Sequence, residues 1–197
     1  MIVGITGGVG SGKTIFARDL GTLGARVIEA DDVARNLVEE RDDIRKALRR
    51  KFGSEIFDGA GRLRRRLLGR IVFSDTRRLN ALNRILQPLL VNEVRDRISR
   101  YQKEEPAGLI VVDMAILYES RVEPIFDMVV VVTAPLEKRI EWLSADRGWS
   151  REEVLERIQS QMDDREKMKR ANVVIENSGT LEDLRYKARD LYEQLSL

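Results

Sequence analysis

The first fourteen residues, MIVGITGGVGSGKT, constrain this chain more than any other stretch. Ile2, Val3 and Ile5 are β-formers and predict a short buried strand. Gly7, Gly8, Gly10 and Gly12 follow, then Lys13 and Thr14, in the spacing G-x-x-x-x-G-K-[ST] of the phosphate-binding P-loop. The chemistry needs these residue types in this order. Glycines let backbone N–H groups turn inward around a polyphosphate with no Cβ in the way. Lys13 supplies a point charge to the β- and γ-phosphates, and Thr14 offers a hydroxyl to Mg²⁺. A helix opening near Lys13 aims its N-terminal dipole at the same anion. The competing reading is a Gly-rich turn before an ordinary helix. A strand before the motif and the helix-forming Ile15 to Leu20 after it are the context that the P-loop requires. The residues expected against the nucleotide are therefore Gly8, Val9, Gly10, Ser11, Gly12, Lys13, Thr14 and Ile15.

Apolar strands alternate with helices along the rest of the chain. Ala25 to Ala30 reads as a second strand ending in Asp31-Asp32, and Val33, Leu37, Ile44 and Leu48 then recur at helical spacing up to Gly53. Asp58 to Gly61 is a turn, followed by an arginine cluster of Arg62, Arg64, Arg65, Arg66 and Arg70. Ser74 is expected to cap the next helix, and Pro88 to mark a break before a further helix through Tyr101. Leu109 to Met114 and Met128 to Thr133 are continuous apolar runs, suited to central parallel strands covered on both faces. Pro135 opens a helix through Leu143, Ser150 and Glu153 form a capping box, and Val173 to Ile175 is the last strand before a closing helix from Leu181 to Leu195. Five strands in this alternation predict an α/β fold: an open, parallel, doubly wound sheet with ligands at the carboxyl ends of its strands. The helical stretch at about 33–104 is expected to cover the acceptor, and the segment at about 139–165 to act as a lid, within one domain spanning 1–197.

Composition narrows the chemistry. The 197 residues are 35% charged, yet the net charge is only +2, which gives no overall field for nucleic acid or membrane. With no cysteine, disulfides and thiolate metal sites are excluded. With no histidine, any general base is a carboxylate, lysine or tyrosine. The longest apolar run, Met128 to Val132, is too short to span a bilayer, and no signal peptide precedes the first strand. A cytoplasmic enzyme is the expectation.

Three further groups carry candidate chemistry. Asp113 ends an apolar strand, where an acid holds Mg²⁺ or its waters, or merely ends the strand. Asp31 and Asp32 end the second strand. A carboxylate there can take the proton of a hydroxyl attacking the γ-phosphate, and either residue can instead cap the next helix. The arginine cluster reads as a solvated helix face, a clamp for substrate phosphates or, less favoured, a nucleic-acid patch. Arg139, Arg147, Arg151 and Arg157 are lid candidates, with Arg139 assigned to the nucleotide and Arg147 to the transferring phosphoryl group; for any one of them a surface arginine paired with Glu152 or Glu153 is an equal alternative.

At this point the residues resemble a family. GITGGVGSGKT with Val27 to Arg35 (VIEADDVAR) is similar to the start of dephospho-CoA kinases. The similarity continues in order through Gly61 to Arg65, Ile71 to Ser74, Asn80 to Leu90 (NALNRILQPLL), Asp113 to Glu119 (DMAILYE), Gln161-Met162, Lys167, and Ala171 to Gly179 (ANVVIENSG). Glu29, Arg64, Gln87 and Ala115 stand where the family pattern has Asp, Asp, His and Pro. The resemblance implies a three-layer α/β/α P-loop kinase fold that converts ATP and dephospho-CoA to ADP and CoA; Mg²⁺ on Thr14 and Asp113 is the expectation from the P-loop and the strand-ending acid themselves. It makes Asp31 the base, puts Arg65, Tyr118 and Glu119 at the acceptor, and sets Asn177 near adenine. A monomer is expected. The alternatives are a kinase of a nucleoside or nucleoside monophosphate on the same scaffold, a nucleotide-gated regulator without catalysis, and a nucleic-acid-binding protein.

Overall fold

The computed structural model describes residues 1–195. Its centre is a five-stranded parallel sheet in the order β2-β3-β1-β4-β5, built from β1 (Ile2–Thr6), β2 (Arg26–Glu29), β3 (Ile110–Asp113), β4 (Met128–Thr133) and β5 (Val173–Glu176). The apolar runs form the three inner strands because these are covered on both faces: Val111, Val130, Val131 and Val132 are fully buried. Alternation on β1 shows the two covers. Val3 and Ile5 face a core with Phe16, Ala17 and Leu20 of α1 (Lys13–Thr22) and with Leu184, Ala188 and Leu191 of α9 (Leu181–Leu195). Gly4 points the other way, where a Cβ would lie 2.7 Å from Leu117 and 2.9 Å from Phe126. In register, Asp113 sits beside Ile5 on one side and Glu29 on the other, so the carboxyl ends of three strands form one rim.

The chain divides into two units. One comprises Met1–Glu29 and the chain from Arg95 onwards; the other is Ala30–Val94. The second holds α2 (Ala30–Glu40), α3 (Asp42–Phe52), a 3₁₀ turn (Ser54–Ile56), α4 (Arg65–Phe73) and the first part of α5 (Thr76–Glu104). Its apolar interior includes Ile44, Leu48, Ile56, Leu68 and Val72. The first unit also contains α6 (Leu136–Arg147), α7 (Arg151–Gln159) and α8 (Asp164–Arg170). Among the described residues, no helix is long and apolar enough to cross a membrane.

Five local expectations are corrected. Helix α2 begins at Ala30, so Asp31 and Asp32 lie inside its first turn; neither ends the strand nor caps the helix from outside. The single helix expected up to Gly53 is two, because Arg41 takes an extended conformation between α2 and α3. Ser74 closes α4, donating its hydroxyl to the Arg70 carbonyl. Asp75 instead caps α5, accepting from the amides of Arg77 at 2.8 Å and Arg78 at 3.4 Å. Helix α5 runs unbroken through Pro88. Proline removes one hydrogen bond there, and burial of Leu90, Val94 and Ile98 along the same helix offsets that loss. Helix α6 also continues past Leu143, to Arg147.

Candidate active site

The loop from Gly7 to Gly12 leaves the carboxyl end of β1 and enters α1. Two of its glycines are required by the close approach of neighbours. At Gly7, φ is 151° and a Cβ would lie 2.0 Å from the Val132 carbonyl of β4. At Gly12, φ is 92° and a Cβ would lie 2.4 Å from Asn177 Nδ2. That amide donates to the Ser11 carbonyl at 3.0 Å, so Asn177, 8% exposed, ties the loop after β5 to the P-loop. Ser11 is itself fully buried.

Helix α1 starts differently from α7 and α8. A capping box of Ser150 and Glu153 closes the start of α7, and the Asp163 carboxylate closes that of α8. At α1 no side chain caps the first turn and no acid lies in it. Its first N–H groups and its dipole therefore face the site as an anion receptor. Ile15 is exposed on the same helix.

One carboxylate gathers the polar groups. Thr14 Oγ1 donates to Asp113 Oδ2 at 2.6 Å, and Lys13 Nζ lies 3.7 Å from Asp113 Oδ1. Asp113 is only 6% exposed, so the desolvated carboxylate strengthens both attractions. The sequence-predicted Lys13, Thr14 and Asp113 are thus brought together.

The segment expected as a lid is docked on the loop. Arg139 is no surface arginine: it is 3% exposed, its Nε donates to the Val9 carbonyl at 2.7 Å, and its guanidinium pairs with Asp164. Arg147, at the exposed end of α6, lies 5.2 Å from the Trp149 ring, which Arg157 approaches to 3.8 Å on α7. Arg151 pairs with Glu137 at 2.7 Å. Two contacts that sequence reasoning missed are here. Gln161 accepts from the Val9 amide at 2.9 Å, and the buried Lys167 bridges Glu119 at 3.1 Å and the Ala115 carbonyl at 3.0 Å. Both residues stand in the family-like pattern, yet they act on partners too distant in sequence for spacing to reveal.

Tyr118 and Glu119 are mostly held by protein. Tyr118 lies under Arg170 at 4.4 Å, and burial raises its phenol pKa. Glu119 accepts from the Met162 amide at 2.8 Å besides its pairing with Lys167. In the unit of Ala30–Val94, Arg65 opens α4 and lies 3.6 Å from Glu39. Burial, then the like charge of Arg35, holds its pKa below the ordinary guanidinium value, with Glu39 and Asp31 opposing. Asp31 is exposed, and Asp32 pairs with Arg35 at 3.2 Å.

Lysine and hydroxyl drawn to one carboxylate, below an uncapped helix start, suit the phosphates of a nucleoside triphosphate. On this sheet they define a P-loop kinase. A family model for dephospho-CoA kinase matches residues 1–183, and the chain belongs to that family. The dephospho-CoA kinase of Thermobifida fusca is 37% identical over 194 residues, covering 98% of this chain and 95% of its own. The crystal structure of TT1252 from Thermus thermophilus has a TM-score of 0.78 at 38% identity, covering 99% of this chain and 97% of that one. A shikimate kinase from Acinetobacter baumannii shares the fold alone, with a TM-score of 0.59 at 16% identity over 100% of this chain and 94% of its own.

Proposed function

We propose that this kinase transfers the γ-phosphoryl group of ATP to the 3′-hydroxyl of dephospho-CoA, giving CoA and ADP. The observation that carries the reading is the approach of Thr14 and Lys13 to Asp113, in a chain of the dephospho-CoA kinase family. The ribose oxygen attacks the γ-phosphorus, the bond to the bridging oxygen breaks toward ADP, and the hydroxyl proton passes to Asp31. A carboxylate suits that role in a chain without histidine. A nucleoside monophosphate acceptor would attack through a phosphate already ionised and would need no such base.

Lys13 and the first N–H groups of α1 hold the β- and γ-phosphates. Arg139, whose Nη2 has no hydrogen-bond partner among the described residues, donates to the nucleotide, and Asn177 lies by the adenine. Thr14 and Asp113 fit Mg²⁺: they bring hard oxygens within 2.6 Å of each other, and this ion takes one or two protein oxygens with phosphates and water. Bound there, Mg²⁺ neutralises charge on the transferring group. Arg147 stabilises that charge on lid closure. Tyr118, Glu119 and Arg65 serve the acceptor, with Arg65 on its pyrophosphate.

Charge distribution supports the assignment of the acceptor to residues 30–94. That stretch has fifteen Lys and Arg against ten Asp and Glu, whereas the rest of the chain has twenty against twenty-three. In it, Leu67 and Ile71 line an open cavity of about 560 Å³ with Arg70 and with Arg78, which pairs with Asp75 at 3.7 Å, combining apolar surface for a pantetheine arm with a cationic group at Arg70. The protein is further proposed to act as a cytoplasmic monomer without nucleic-acid or membrane partners, in keeping with a net charge of +2. A coupled ADP assay with Mg²⁺-ATP tests the reading against dephospho-CoA, adenosine, AMP, dAMP, CMP and uridine at matched concentrations. Turnover on dephospho-CoA is expected; turnover on another acceptor with none on dephospho-CoA would overturn it.

A further inference from the structure

Val9, within the P-loop, is held through its amide, its carbonyl and its side chain by the stretch from α6 to α8. Its amide donates to Gln161 Oε1 at 2.9 Å, and its carbonyl accepts from Arg139 Nε at 2.7 Å. Its side chain packs on the cluster of Ile140, Leu143 and Val154. Arg139 is in turn fixed by Asp164. Gly8 records how tightly this pair is seated: a Cβ there would lie 2.4 Å from Arg139 Nη2 and 2.8 Å from Asp164 Oδ1.

We propose that Arg139, oriented by Asp164 and aided by Gln161, is a positioning device that sets the Val9–Gly10 peptide so that the Gly10 N–H serves the nucleotide's phosphates. The argument is one of peptide geometry. In a trans peptide the C=O and the N–H of the following residue point to opposite sides. Holding the Val9 carbonyl on Arg139 therefore sends the Gly10 N–H to the side away from Arg139. Gly10, at φ 76°, is free to adopt backbone conformations that other residues avoid, so this peptide can flip at low cost. A flipped peptide would present a carbonyl oxygen to the phosphates in place of a donor. A charged donor on the Val9 carbonyl opposes that flip more strongly than a neutral one.

This inference rests on nucleotide binding at the P-loop, and its test separates the two. The affinity for ADP and the KM values for ATP and acceptor are measured for Arg139→Lys, Asp164→Asn, Gln161→Ala and Lys13→Ala, together with Tm and the Gly10 amide shift on adding ADP. A lysine at 139 cannot donate to Val9 and pair with Asp164 in the same fork geometry. Arg139→Lys is expected to weaken ADP and raise the ATP KM by about tenfold or more, with the acceptor KM unchanged. Asp164→Asn and Gln161→Ala, at residues assigned no nucleotide contact, should act in the same direction by about three- to tenfold. The ADP-induced shift of the Gly10 amide should shrink in step. Arg139→Lys alone weakening ADP, with the other two within twofold of the parent and the Gly10 shift intact, would leave Arg139 with its nucleotide contact only and overturn the positioning role. A fall in Tm without loss of ADP affinity would reduce all three residues to structural roles and also overturn it. Loss of affinity in Lys13→Ala alone would overturn the positioning role and leave the P-loop reading standing. Unchanged affinity in all four variants would overturn both.

Discussion

Around the P-loop, ionic groups are buried and committed: Arg139 is 3% exposed, Lys167 is 0% exposed, and each meets a carboxylate and a backbone carbonyl. In the unit of Ala30–Val94 most arginine side chains lie open, Arg62 80% and Arg65 47% exposed against Arg45 at 28%, and their pairings are short-range or loose. The difference matches what each region is proposed to meet. A triphosphate is one rigid pattern of charge, best served by donors fixed in advance, so that binding costs no reorganisation. A long acceptor with a pyrophosphate and a flexible arm is better met by a cationic field with movable side chains. The lesson is that burial, more than the number of cations, separates the group that positions from the group that attracts.

Lys13→Ala should produce the largest effect on rate. It removes the cation drawn to Asp113, and transfer should fall by about 10³-fold with Tm within a few degrees of the parent, read by steady-state ADP release and thermal melting. Near-parental turnover would break the assignment of the buried region to chemistry. Lys167→Met should produce the largest effect on stability. It strips Glu119 of its buried partner, and denaturant unfolding should show a loss of about 3–5 kcal/mol. A loss no greater than that of an exposed pair would mean that the buried charges are not committed as described.

Asp31→Asn keeps shape and removes basicity. Its kcat should fall by about 10²-fold with ADP affinity unchanged. Arg65→Ala sharpens the comparison from the other side: the acceptor KM should rise by about tenfold while the ATP KM stays put. An unchanged acceptor KM would return the cluster to a solvated face. Asp32→Asn should do least, lowering stability by about 0.5–1 kcal/mol through the first turn of α2 with little change in rate.

How much of this is legible in the sequence depends on the range of the forces involved. The P-loop is readable because glycine conformations, the lysine and the helix start are contiguous. The inner strands are readable because burial on both faces leaves an uninterrupted apolar run. Asp113 is readable for both reasons, as an acid ending such a run. Boundaries set by competing neighbours are not. Ser74 and Asp75 are both good caps, and only the structure shows one closing α4 and the other opening α5. Pro88 carries a strong breaking signal that the packing of α5 overrides. Least legible is the clamp on Val9, whose partners Arg139 and Gln161 stand 130 and 152 positions away in sequence. Their residue types suit surface roles equally well, and nothing local marks Arg139 as buried.

The most direct test of the central claim is the product itself. Purified protein, Mg²⁺-ATP and dephospho-CoA are incubated to completion, and the product is analysed by mass spectrometry and phosphorus NMR. The account predicts one added phosphoryl group per acceptor, attached to the ribose 3′-oxygen, with ADP formed in equal amount. ADP released without a phosphorylated acceptor, or phosphate attached at another position, would contradict it.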